Sequence, residues 1–197
     1  MLLVAAGASP AAMAAPPRDA LRAACDAADA ASVLHPAAES ARDARAYWLD
    51  RHLIQWPGVT VEGRFRLYHS ATAALRAQPG RAVAGADGGI ELVPVKVKLG
   101  PMQAVRAGFI GAGPRFMPTG AADIAALLRE QVLLVREDAQ GRVLETTALQ
   151  TPGALDDLYA AAEDATLGVH RHGQPAISED FATRFALWAP TARAVAV

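Results

Sequence analysis

One cysteine, Cys25, stands in the whole chain, so no internal disulfide can form and no zinc cluster can be built on thiolates. An excess of charge of either sign is missing too. Nineteen basic residues face twenty acidic ones, for a net charge of −1, which leaves no electrostatic footprint for nucleic acid or an anionic membrane surface. Aromatics are scarce at 6%, so the 52% apolar share is largely alanine. The apolar opening segment is too short to cross a bilayer, which takes about 20 residues. At 197 residues the chain is also shorter than a (β/α)8 barrel, which needs roughly 250. One domain and part of a second fit that length.

Signatures of common chemistries are absent as well. The G-x-S-x-G elbow of serve-and-release acyl chemistry does not occur. The glycine-rich stretch from Gly108 to Gly113 carries Phe116 where a third glycine belongs and has no βαβ unit around it, so it does not read as a phosphate cradle. His170 and His172 stand two apart with no carboxylate or thiol at a matching short spacing, so they read as a polar loop before a strand, not a metal site. Asp156, Asp157, Glu163 and Asp164 are acids close in sequence, but spacing alone does not set two carboxylates across a sugar ring. No catalytic residue, cofactor or metal is therefore expected on this chain.

Thirteen prolines and sixteen glycines punctuate the chain and favour β structure. Residues 1–15 are apolar and end in small residues before Pro16 and Pro17, the pattern of a signal peptide, so export to the periplasm or beyond is expected. A basic residue near Met1, usual in such segments, is missing. Residues 16–45 form a helical or loose leader, with helix formers over 17–34. Strands are expected over 46–50, 52–56, 65–68 and 90–95, with turns at Pro57-Gly58 and over 85–89. A short helix is expected over 121–128, and a hairpin pairs 131–135 with 142–147 around Gly141. After Pro152-Gly153 comes a linker turn of helical character, and strand texture returns at 185–188 and 193–197.

Five aromatics are candidates for stacking on sugar rings: Tyr47, Trp48, Trp56, Tyr68 and Trp188. Trp56 and Trp188 read better as core anchors. Tyr47 and Trp48 are neighbours in one strand and face opposite sides, so only one of them belongs to the core. The carbohydrate-binding candidates are thus Trp48, Tyr47 and Tyr68.

The segment Gln150-Thr-Pro-Gly-Ala-Leu-Asp-Asp-Leu-Tyr159, followed by Phe185-Ala-Leu-Trp-Ala-Pro-Thr-Ala192, resembles bacterial type I pullulanases, family 13 glycoside hydrolases that cleave α-1,6 branch linkages. The first stretch is similar to their linker before a family 48 carbohydrate-binding-type module, the second to that module's first strand and turn. Upstream, Ala46-Tyr-Trp-Leu-Asp50, Trp56-Pro-Gly58 and Phe65-Arg-Leu-Tyr-His-Ser70 are similar to the preceding sandwich. The resemblance implies an all-β fold. An immunoglobulin-like β-sandwich with short helical insertions would occupy 46–160, and the first strands of a second, incomplete sandwich 161–197. It further implies a non-catalytic N-terminal fragment of a debranching enzyme, with α-glucan (pullulan, starch, glycogen) as partner through the parent enzyme and packing on a catalytic domain beyond this chain. An autonomous α-glucan-binding module is the alternative.

Overall fold

Alternation of apolar and polar residues decides the central strands. In a computed structural model of the chain, the structure describes Pro36, Ala41 and residues 43–172 and 182–193. The expected signal segment over 1–15, the helix expected over 17–34 and Cys25 lie outside the described residues. The strands are β1 (Ala46–Trp48), β2 (Ile54–Gln55), β3 (Arg64–Ser70), β4 (Gly88–Val95), β5 (Arg115–Pro118), β6 (Gln131–Glu137), β7 (Val143–Thr147) and β8 (Leu149–Gln150). They form one sheet in the order β7-β6-β3-β4-β5-β2-β1-β8, antiparallel throughout except for the parallel pair β1 and β8.

The sheet folds over on itself. Trp48, Ile54 and Trp56 from one half pack against Phe65, Leu67 and Leu134 from the other, in a single buried cluster. Trp56 stands edge-on to Phe65 at 6.2 Å, and Phe65 lies against Phe116 at 4.3 Å, ring pairs that add to plain area burial. A second cluster, with Leu75, Leu133, Val135 and Val143, covers the outer face of β3, β6 and β7. That double burial explains why β6 reads as a nearly unbroken apolar run, whereas β3 alternates. The far ends of the sheet meet at Arg45, whose guanidinium donates to Glu145 Oε1 at 2.6 Å and to the Thr146 carbonyl at 3.0 Å on β7. The fold is thus an all-β sandwich closed almost into a ring.

Among the described residues three short α-helices decorate it: α1 (Pro101–Arg106), α2 (Ile124–Leu127) and α3 (Pro152–Leu158). The helix expected over 121–128 is shorter than its composition suggests, because Asp123 caps it: Asp123 Oδ1 accepts from the Ala126 N–H at 3.0 Å. Pro152 opens α3 at its first turn, where the missing N–H is harmless, so the linker turn is a true helix. Helix α1 was not expected at all. A separate two-stranded sheet pairs β9 (Gly168–His172) with β10 (Ala182–Ala186) antiparallel, so His170 lies within a strand and not in a loop.

Candidate functional site

The Pro-Gly-x-Leu-Asp-Asp-x-Tyr stretch is a piece of structural joinery. Gly153 lies so close to β1 that an added Cβ would sit 2.3 Å from the Trp48 carbonyl oxygen and 2.6 Å from that of Leu49. Ala154 is fully buried in the main core. Asp157 takes the Arg51 side chain in a forked pair, with Nε to Oδ2 at 2.7 Å and Nη2 to Oδ1 at 3.2 Å, and also accepts the Arg51 backbone N–H at 3.0 Å. Those bonds, the side-chain one foremost, hold the Asp157 carboxyl below the ordinary carboxylate value. Tyr159 then packs edge-on against Trp188 at 5.4 Å, beside the second sheet. The first Asp of the pair, Asp156, is more than half exposed.

Together with Asp157 it lines a cleft of about 740 Å³ between α1, β1 and α3. Because neighbouring strand residues face opposite sides, Trp48 goes into the core at 3% exposure while Tyr47 turns to the cleft. The Tyr47 ring meets Phe109 edge-on at 5.9 Å, and Phe109 itself is 76% exposed. From α1, Gln103 Nε2 donates to Asp50 Oδ2 at 2.8 Å, and Arg106 Nη1 stands 3.5 Å from Asp156 Oδ2. Both members of that ion pair are more than half exposed. The cleft therefore combines an open aromatic face with carboxylate, amide and guanidinium groups, a lining suited to a ligand that is both hydroxylated and apolar on one face.

The other expected site residues lie elsewhere. Trp48 has no free ring face, since the core surrounds it. Tyr68 is on β3, packed against the second cluster, and its hydroxyl donates to the buried Glu137 Oε1 at 2.5 Å. Burial first, and that hydrogen bond second, raise the Tyr68 pKa above its usual value. Of the three candidates Tyr47 and Trp48 line the cleft, and of these two only Tyr47 is turned away from the core. Trp56 is a core anchor as expected, but Trp188 is 45% exposed, its one ring contact being Tyr159 among the described residues. Phe109 was missed by sequence reasoning. The signal available was the run Met102, Val105, Phe109, apolar residues set three and four apart with no polar face to explain them. The glycine stretch nearby has a packing reason: a Cβ on Gly113 would meet the Trp56 carbonyl oxygen at 2.4 Å.

Comparison with known proteins gives this geometry a family. The pullulanase N2 domain matches residues 43–157. Pullulanase 1, chloroplastic, of Arabidopsis thaliana is 31% identical over 160 residues, covering 78% of this chain and 15% of the plant protein. The apo pullulanase of Klebsiella pneumoniae superposes with a TM-score of 0.61 at 26% identity, over 90% of this chain and 16% of that one. The same enzyme complexed with maltotriose gives 0.61 and 26% over 78% of this chain and 14% of its own. The chain thus spans about one-seventh of the length of the relatives it matches. With its sandwich, its Arg51–Asp157 joint and its matched residues 43–157, the chain belongs to the pullulanase family through the N2 domain.

Proposed function

We propose that the chain acts as a non-catalytic N-terminal part of a pullulanase-type enzyme, one that hydrolyses α-1,6-glucosidic linkages in pullulan, starch or glycogen. The observation that carries this reading is the use made of residues 152–159. They lock α3 onto β1 through Gly153 and Asp157 and hand the chain to the second sheet through Tyr159. That is the work of a positioning element, and α-glucan is then met through the parent enzyme.

Within this reading, residues 46–160 are the sandwich and 161–197 the opening of a family 48 carbohydrate-binding-type module. Residues 1–15 serve as a signal peptide and 16–45 as a leader, so the enzyme works in the periplasm or outside the cell. The purified chain is expected to release no reducing sugar from pullulan. Release above the buffer blank, growing with protein concentration, would overturn the reading. A second reading, α-glucan binding by the chain itself, is favoured by the cleft beside Tyr47. Retarded migration in a pullulan-containing native gel supports it, and unretarded migration sinks it.

A further inference from the structure

The cleft between α1, β1 and α3 contains more binding chemistry than a packing surface needs. Helix α1 buries none of its residues, and Phe109, just beyond it, is held by Tyr47 so that a ring face stays open. A protein partner that covered the exposed apolar side chains would also bury the Arg106–Asp156 pair and the Asp50–Gln103 bond. Burying such groups without new partners is costly. A sugar resolves the conflict, because its C–H face lies on an aromatic ring while its hydroxyls replace water around the charged groups. Charge points the same way. Arg51 is paired with Asp157 and Arg106 with Asp156, which leaves Asp50 with no ion pair among the described residues and disfavours an anionic ligand.

We propose that this cleft is a binding site for a neutral α-linked gluco-oligosaccharide, with Phe109 as its stacking platform, Tyr47 as the residue that orients Phe109, and Gln103, Arg106 and Asp156 as hydroxyl partners. The α-glucan class rests on the reading of the chain as part of a debranching enzyme; the aromatic and polar lining stands apart from it.

The test is titration of the whole purified chain with maltotriose, followed by the Met102 methyl signal and by calorimetry, with cellotriose as the control for linkage. The expected result is a saturable shift at Met102 with maltotriose and weaker binding of cellotriose. Phe109→Ala is expected to lower affinity about tenfold or more, the loss of one good stacking contact. Because Phe109 is exposed, that variant should keep its melting temperature, and Tyr68→Phe should keep its affinity. No shift at about 10 mM maltotriose, which would reveal even a millimolar Kd, overturns the proposal. Preference for cellotriose overturns it too, as does concentration-dependent dimerisation that Phe109→Ala abolishes in the absence of sugar. Failure here leaves the non-catalytic reading standing, since pullulan hydrolysis is read separately.

Discussion

Tyr68 shows how a residue chosen for one role is committed to another. Its partner Glu137 is 1% exposed, and the nearest cation, Arg66 Nε, stands 3.9 Å from the other carboxyl oxygen, beyond hydrogen-bond reach. The Tyr68 hydroxyl is therefore the closest donor to Glu137 Oε1. Removing a donor from a buried acceptor costs about 1–3 kcal/mol, so Tyr68→Phe should lower the unfolding free energy by that much, read as a lower urea midpoint at unchanged slope. The pH dependence adds a second reading. The folded state holds the Tyr68 proton more tightly than the unfolded chain does, because burial and Glu137 both oppose the phenolate. This contribution is complete below about pH 10, the ordinary tyrosine value, and is lost as pH rises through the folded-state value. The phenylalanine variant should thus lack part of the alkaline loss of stability seen in the parent. Equal midpoints and equal alkaline slopes would show the bond to be idle. The neighbouring contrast of Tyr47 with Trp48 was legible in the sequence, because strand alternation alone forces the two rings apart; which ring is buried was not legible, as it depends on what packs across the sheet.

At the level of elements, α3 offers a reversal of a familiar rule. Alanine in place of glycine inside a helix ordinarily stabilises by about 1 kcal/mol. At Gly153 the added methyl would meet the backbone carbonyl oxygens of Trp48, at the end of β1, and of Leu49 just after it, atoms that do not swing aside as a side-chain tip does. Overpacking of this kind costs about 1–3 kcal/mol. Gly153→Ala should therefore lower the melting temperature, and a rise would mean that α3 does not sit on β1 so closely. The elements that sequence made legible are those with a local cause: the alternation in β3, the glycine-bearing loop between β6 and β7, the turn after β2. Helix α1 was hidden because it is six residues long and buries nothing, so its spaced apolar residues Met102 and Val105 are exposed and mark no core. With α1 unseen, the cleft it walls and the ring of Phe109 were hidden as well. Trp188 misled for the opposite reason: its apolar neighbours Leu187 and Ala189 suggested a core, yet Leu187 and Phe185 beside it are exposed too.

For the molecule as a whole, the question is how firmly the second sheet is held. The pair β9 and β10 presents Val169 and Phe185 exposed, and Leu187 just after β10 is exposed too, so little apolar burial of its own supports it. Two ties run from its flanks to the first sandwich. Tyr159 packs on Trp188, and Arg193 donates from Nε to the Arg129 carbonyl at 2.9 Å and from Nη2 to the carbonyl of Ala71. A two-stranded ribbon in water is marginal by itself, so these ties should set the protection of its backbone amides. Combined Tyr159→Ala and Arg193→Ala substitution is expected to speed hydrogen exchange across β9 and β10 about tenfold or more, with β3 and β6 unchanged. Equal acceleration in both sheets would mean that the ties stabilise the sandwich globally, and no change in either would mean that they hold nothing. The expected outcome would make the β9–β10 sheet an extension of the sandwich, held, among the described residues, through one aromatic pair and one guanidinium.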